Sequence, residues 1–261
     1  MKHSISLKFM WSDRAVPERA KQASEHNFDL VELWDWREEP IDDLAAVCRD
    51  TGIEIAGFFG HSYGGLRDPS QRDDLLTSLA ESVEVAERVG ATQLHMFSDD
   101  IGSDSIISKP PPLPWESQWQ SCLDGLRECV PLVEGKGINL VLESINTVFV
   151  PGYFLSHSGQ SLALCRAIDH PQVTMFFDCF HQQLVAGRLI ENLIEALPWT
   201  QAVHIADVPG RHQPGTGEIN FHGIKKVLDE QGYDRQLTFE TVPKDGDSEA
   251  AVTAIKDVWP F

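Results

Sequence analysis

Four residues able to bind a metal ion lie at or near the ends of four successive apolar runs. They are Glu143 in NLVLESI (139–145), Asp178 in VTMFFD (173–178), His204 in AVHIAD (202–207) and Glu240 in QLTFET (236–241). A carboxylate buried at the end of a strand is costly unless something pairs with it. Four such groups from consecutive strands are most simply explained by a divalent metal ion that they surround together.

The donor set indicates which metal to expect. Three carboxylates and one imidazole suit Mn²⁺ or Mg²⁺, with Co²⁺ or Zn²⁺ also compatible, whereas structural zinc sites favour sulfur and nitrogen. We therefore predict one divalent ion held by Glu143, Asp178, His204 and Glu240. The alternative interpretation makes each residue a separate ion-pair partner or helix cap.

Other polar residues are candidates for contacts with a substrate. His181 follows Asp178 by three residues, so a turn at the strand end would direct it to the same place, where it would bind a substrate hydroxyl or add a metal ligand. Arg211 can hold a carboxylate or an oxyanion through two hydrogen bonds. His61 and His95 belong to the earlier runs or their loops and are also predicted to line the pocket. Further candidates for the pocket are Lys8, Glu32 and Trp34.

The elements that must position these residues alternate between strand-like and helix-like segments. The first four strand-like runs are ISLKFM (5–10), FDLVELW (28–34), IEIAGFF (53–59) and TQLHMFS (92–98). Apolar residues at helical spacing lie between several of the eight runs, and Gly52, Gly90, Gly137 and Gly232 mark helix ends. Eight strands alternating with eight helices predict an α/β fold, a single (β/α)₈ TIM barrel over residues 1–261.

Three long connections each follow a predicted strand. They comprise residues 60–70, 99–114 and 207–219. Because such loops meet at the C-terminal face of a barrel, where active sites of this fold lie, we predict the active site there.

Composition excludes several classes of partner. The formal net charge of −19 repels nucleic acid and anionic membranes. No apolar run approaches the roughly 20 residues that cross a bilayer, and the first residues lack the pattern of a secretory signal. Five cysteines without a Cys-x-x-Cys pair indicate free thiols, and hence a cytoplasmic protein. A homo-oligomer is left open.

The stretches LVLESINTVFVPGYFL, FFDCFHQQ and HIADVPGRHQPGTGEINF resemble the hydroxypyruvate isomerase family, one of the xylose isomerase-like barrels. The similarity covers roughly residues 139–243. It implies a divalent metal on the four residues named above, proton transfer by Glu143 and Glu240, and substrate contacts from His181 and Arg211. Two departures matter. Val242 stands where that family tends to have a lysine, and Gly210-Arg211-His212 lacks a ligand that the related DNA-repair nucleases use.

These observations predict a metal-dependent isomerase of the aldose–ketose type, an intramolecular oxidoreductase that acts on a small keto-sugar or keto-acid. An enediolate would form when a glutamate removes the proton beside the carbonyl. A ketose 3-epimerase and an inosose dehydratase-like lyase would use the same metal site, and a repair nuclease is a further alternative. Because Val242 replaces a cation, we expect neutral keto-sugars to be preferred over hydroxypyruvate.

Overall fold

Eight parallel strands close into a barrel in the computed structural model, which describes residues 1–101, 107 and 109–261. Each strand pairs with the next along the chain, and β8 pairs with β1. The strands are β1 (Lys2–Ser6), β2 (Leu30–Glu32), β3 (Glu54–Phe59), β4 (Gln93–Met96), β5 (Asn139–Leu142), β6 (Val173–Asp178), β7 (Thr200–Ile205) and β8 (Gln236–Phe239). The predicted (β/α)₈ barrel is confirmed.

Nine α-helices surround the barrel in the described part of the chain. They are α1 (Val16–Glu25), α2 (Ile41–Thr51), α3 (Arg72–Val89), α4 (Trp115–Val133), α5 (Ser158–Ile168), α6 (Cys179–Val185), α7 (Leu189–Ala196), α8 (Phe221–Glu230) and α9 (Ser248–Val258). The count exceeds the predicted eight because the connection from β6 to β7 contains two helices. Gly52 and Gly90 end α2 and α3 in the left-handed conformation, as predicted.

The first strand lies earlier in the chain than predicted. The sequence pattern placed it at residues 5–10, whereas β1 spans Lys2–Ser6 and its pairing with β8 begins at Lys2. The apolar residues that follow β1 had extended the predicted strand, although they belong to the loop beyond it. This shift places Lys8 and Phe9 at the C-terminal face of the barrel, beside the cavity described below.

The inside of the barrel carries an unusual number of polar side chains. An extensive apolar core includes the residues packed between strands and helices, while a small separate cluster consists of Val141, Phe176 and Ala202. Glu32, Gln93 and Gln236 are buried polar residues of the strands. Gln93 Nε2 donates to Gln236 Oε1 at 2.7 Å, and Gln236 Nε2 donates to Thr238 Oγ1 at 2.8 Å. This chain of hydrogen bonds leads toward the site because Thr238 also contacts Glu32.

One buried carboxylate organises the loop after β7. The Asp207 side chain accepts hydrogen bonds from the backbone N–H groups of Val208, Gly215, Gly217 and Ile219, at 2.8–3.1 Å. Gly217 is required here, because a Cβ at this position would lie 1.9 Å from the Val208 carbonyl oxygen. The loop folded around Asp207 carries Arg211, so this carboxylate fixes the position of a candidate site residue.

The described residues include no helix of the length and apolarity needed to span a membrane. The five cysteines are buried and unpaired. Burial raises the pKa of the Cys179 thiol well above its usual range, and this thiol beside Asp178 is therefore a poor nucleophile.

Replacing Asp207 with Ala should destabilise the protein. Four backbone donors would lose their acceptor, so we expect a loss of at least about 2 kcal/mol in the free energy of unfolding. Urea denaturation followed by circular dichroism measures this difference. Asp257→Ala, at an exposed position of α9, is the matched control and should have little effect. Equal stability of the two variants would contradict the role given to Asp207.

Candidate active site

The four predicted metal ligands converge at the C-terminal end of the barrel. Asp178 ends β6 and pairs in register with His204 of β7. Glu143 and Glu240 directly follow β5 and β8, and their backbone N–H groups continue the strand ladders to Met96 and Ile205. One potential ligand atom from each of the four side chains lies within 4.8 Å of the other three, and all four residues are buried.

The two glutamates of the cluster have pKa values shifted in opposite directions. Burial, together with the charge of Glu240, raises the pKa of Glu143 to about 8. Burial also acts against ionisation of Glu240, but Arg211 and His204 hold the pKa of Glu240 well below its usual range. A divalent cation at the centre of the cluster would offset the repulsion between these carboxylates.

The histidine of the cluster supplies an independent test of metal binding. Neither ring nitrogen of His204 has a hydrogen-bond partner among the described residues, although the ring is buried. Nδ1 faces the carboxylates, 3.4 Å from Glu240 Oε2 and 3.9 Å from Asp178 Oδ2. An unpartnered imidazole nitrogen among carboxylate oxygens is the arrangement that a divalent ion completes. The residues present therefore fit one such ion.

The other side of His204 faces a buried carboxylate from across the barrel. His204 Nε2 lies 3.5 Å from Glu32 Oε2, and His95 Nε2 lies 3.9 Å from the same oxygen. Thr238 Oγ1 donates to it at 3.3 Å. A carboxylate behind a metal-binding histidine fixes the tautomer and the orientation of the ring. Glu32 is placed to do this for His204.

Asp178 combines two of the interpretations that the sequence left as alternatives. Its Oδ1 accepts from the His181 backbone N–H at 2.9 Å and so caps α6, while its Oδ2 faces the cluster. The same carboxylate can therefore be both a helix cap and a metal ligand.

The His181 ring lies over the cluster, held by a residue that the sequence analysis missed. The backbone N–H of Asn146 donates to His181 Nδ1 at 3.2 Å, and the side-chain amide of Asn146 is 2.6 Å from the same nitrogen. Burial lowers the pKa of His181 to about 4, which keeps the ring neutral at physiological pH. Because Nδ1 accepts a hydrogen bond, the neutral ring carries its proton on Nε2, which lies 3.7 Å from Glu143 Oε1.

Arg211 lines the cavity, but its guanidinium is bound to the metal-ligand cluster. Nη2 donates to Glu240 Oε2 at 2.5 Å and to Asp178 Oδ2 at 3.4 Å, Nη1 lies 3.1 Å from His181 Nε2, and Nε donates to the Glu240 carbonyl. Nε and Nη2 thus have hydrogen-bond acceptors within the site, whereas Nη1 and the protonated Nε2 of His181 are both donors and only lie in contact. The structure brings Arg211 to the predicted place, with contacts that hold Glu240 and Asp178 in position.

A cavity of about 540 Å³ opens above these residues, with a mainly apolar wall. Phe59, Phe97, Phe149 and Phe180 contribute to the wall. Trp34 also lines it, and its Nε1 donates to Glu240 Oε1 at 2.6 Å, so the indole orients one of the proposed proton carriers. Such a volume is typical of a small-molecule site.

Of the two remaining predicted substrate contacts, His61 lies at the cavity and His95 does not. His61 lines the cavity, and its Nε2 accepts from the Phe97 backbone N–H at 3.0 Å. His95 does not line this cavity; its ring lies in the barrel interior against Phe176, with Nε2 directed toward Glu32. Strand periodicity alone did not reveal which way His95 faces. Loop residues 102–106 and 108, part of a predicted active-site loop, lie outside the described residues.

Comparisons with known proteins agree with this geometry. The family model for the xylose isomerase-like TIM barrel matches residues 20–258, so the chain belongs to this family. It is 26% identical over 252 residues to a 2-oxo-tetronate isomerase of Cupriavidus necator, covering 94% of each chain. It is 27% identical to a putative hydroxypyruvate isomerase of Homo sapiens, covering 99% of this chain and 95% of the relative.

A solved structure supports the fold alone. The crystal structure of an AP endonuclease, family 2, from Brucella melitensis superposes with a TM-score of 0.85 at 23% identity, covering 96% of both chains. At this identity the likeness extends to the barrel and not to the activity in that protein's name.

Replacing Glu32 with Gln should weaken metal binding. The amide keeps the shape of the side chain but removes the charge behind His204, so we expect the Kd for Mn²⁺ to rise about 10- to 100-fold. Calorimetric titration of the metal-free protein measures this change. Glu54→Gln, on the outer surface and paired with Lys2, is the control and should bind Mn²⁺ as the wild type does. An unchanged affinity in Glu32→Gln would contradict the support given to His204.

Proposed function

We propose that this protein is a divalent-metal-dependent isomerase that exchanges a carbonyl and a neighbouring hydroxyl in a small keto-acid or ketose. The observation that carries the proposal is the buried cluster of Glu143, Asp178, His204 and Glu240 at the base of a small cavity. The chain belongs to the xylose isomerase-like family, and its relatives include proteins named 2-oxo-tetronate isomerase and putative hydroxypyruvate isomerase. Both facts support the same reaction class.

The proposed chemistry is proton transfer between adjacent carbons. A bound divalent ion would polarise the carbonyl and hydroxyl oxygens of the substrate and make the carbon-bound proton acidic. Glu143 and Glu240 carry the proton that leaves the hydroxyl-bearing carbon, which gives an enediolate, and that returns to the former carbonyl carbon. The hydroxyl proton passes to the other oxygen, so carbonyl and hydroxyl exchange places. The environments of the two glutamates push their proton affinities in opposite directions, which is typical of residues with different proton-transfer roles.

The residues above the cluster would position the substrate. His181 Nε2–H would donate to a substrate oxygen on which negative charge develops. Arg211 and Trp34 hold Glu240 through hydrogen bonds, so the carboxylate is already oriented before substrate enters. The apolar wall would exclude water from the enediolate and so protect it from side reactions.

Other reactions are possible at the same site and differ in their products. Return of the proton to the opposite face of the same carbon would give a 3-epimerase, and expulsion of water would give a lyase. The names of the relatives favour the isomerase. A repair nuclease is disfavoured by the net charge of −19, which opposes DNA binding.

The reaction class is tested by solvent exchange. Three- to six-carbon keto-sugars and keto-acids are incubated with the Mn²⁺-loaded protein in D₂O and followed by NMR. We expect a product in which carbonyl and hydroxyl have exchanged places, with deuterium at the former carbonyl carbon, and deuterium beside the carbonyl in the recovered substrate. Inversion at one carbon, or loss of water, would assign the epimerase or the lyase. Full activity after exhaustive chelation would refute metal dependence.

The proton carriers are tested by Glu143→Gln and Glu240→Gln. Each variant keeps an oxygen for the metal but loses the basic carboxylate, so we expect kcat to fall roughly 10²–10⁴-fold. Metal titration must show that the ion is still bound. Glu218→Gln is the control, because Glu218 accepts from Gln183 on the surface and is absent from the cavity lining. Near-normal deuterium exchange in both active-site variants would show that the assigned bases are wrong.

A further inference from the structure

We propose that Lys8 binds the carboxylate of an acidic substrate and thereby makes the site prefer a keto-acid over a neutral ketose. The inference rests on the proposed isomerase function and names the substrate class of that site. It follows from the positions of the two cationic side chains at the cavity. The sequence indicated Arg211 as the residue that binds a substrate carboxylate, whereas the structure shows its guanidinium engaged with Glu240 and Asp178.

Two cationic side chains line the cavity among the described residues, and they differ in their existing contacts. Arg211 makes hydrogen bonds or close polar contacts through every guanidinium nitrogen, to Glu240, Asp178 and His181. The Lys8 ammonium donates no hydrogen bond within the described part of the chain. Its nearest carboxylate is Glu38, at 3.8 Å. Of the two, Lys8 has all of its donors free of hydrogen bonds, whereas Arg211 is held against Glu240 and Asp178.

The Lys8–Glu38 pair is weak enough to admit a substrate carboxylate. The Lys8 side chain is 34% exposed and that of Glu38 54% exposed, and a separation of 3.8 Å is long for an ion pair. Exposed pairs of this kind contribute little to stability. A carboxylate in direct hydrogen-bond contact with the ammonium, in the partly apolar cavity, would interact more strongly.

Trp34 links Lys8 to the reacting centre. Its Nε1 donates to Glu240 Oε1 at 2.6 Å, while Lys8 Nζ lies 4.7 Å from the ring centroid. The ammonium therefore lies over the same indole that holds a proposed proton carrier. In a 2-keto acid the carboxylate is bonded directly to the carbonyl carbon, so a substrate whose carbonyl lies at the cluster can direct this group toward the side of the cavity that Trp34 and Lys8 line.

The other acidic groups of the cavity wall have partners of their own. Asp35 accepts from the Arg37 and Ser62 side chains, and Asp99 pairs with Arg67. The ammonium of Lys8 can therefore pair with one carboxylate of a ligand. A neutral ketose gains nothing from this ammonium, whereas a monocarboxylate does. The proposed preference is opposite to the one expected from Val242.

A matched pair of substrates tests the proposal. The Mn²⁺-loaded protein is assayed on a four-carbon hydroxylated 2-keto acid and on the neutral four-carbon ketose erythrulose, with kcat/KM and deuterium uptake measured for each. The wild type should favour the acid. In Lys8→Gln, the ratio of kcat/KM for the acid to that for the ketose should fall about 10- to 100-fold, the loss expected for one hydrogen bond to a charged group. Lys8→Arg should restore most of the ratio.

A second lysine provides the control. Lys256 Nζ also lies over an aromatic ring, 5.0 Å from the centroid of Phe261, but is not part of the cavity lining. Lys256→Gln should leave the ratio unchanged. An unchanged ratio in Lys8→Gln, or equal losses on both substrates, would overturn the role of Lys8 while leaving the isomerase function intact. Absence of deuterium uptake from every substrate of the panel would overturn both.

Discussion

Repulsion between buried carboxylates is the constraint on which this site depends. Three buried acidic side chains lie within a few ångströms of one another, those of Glu143, Asp178 and Glu240. Such a cluster is stable only if positive charge or protons compensate it. Arg211 supplies one charge from the loop after β7, and a divalent ion on the same carboxylates would supply the larger share. The loop, in turn, depends on Asp207, which collects the backbone donors of the residues around Arg211.

The polar interior of the barrel extends this constraint below the site. Glu32 lies deep between the strands without an arginine or lysine within ion-pair distance in the described residues, and its neighbours are two imidazoles and a threonine hydroxyl. A carboxylate in that position would be unfavourable in an ordinary apolar barrel core. It becomes useful if His204 binds a cation through Nδ1, because Glu32 then stabilises the proton on Nε2. The interior therefore acts as a support for the metal ligands as well as a packed core.

The sequence predicted the barrel and the ligand cluster because both follow from strand ends. In a parallel barrel the C-terminal ends of all strands meet at one face, so residue type and position along each run were sufficient for Glu143, Asp178, His204 and Glu240. The position of His95 depended instead on which way a strand residue faces, and a short, mostly apolar strand gives no alternation to reveal it. Lys8 was named as a pocket candidate, but the apolar residues after β1 extended the predicted strand through it, so the pattern placed it within a strand and not in the loop at the cavity. Arg211 lies at the cavity, but its partners Asp178 and Glu240 come from the ends of β6 and β8, which no local pattern could show.

The charge of the whole protein and the charge of its cavity act in different ways. A net charge of −19 disfavours anionic ligands at long range, yet salt reduces that field over roughly 8–10 Å at physiological ionic strength. Inside the cavity the nearby groups determine which ligand is favoured, because Trp34 and the phenylalanine wall limit screening by water. Arg211 compensates part of the charge of the carboxylate cluster, and a divalent ion would compensate the rest, while Asp35 and Asp99 of the wall have partners of their own. An acidic protein can therefore bind a small acid, provided that a weakly paired cation, the role proposed for Lys8, lies where the acid group ends.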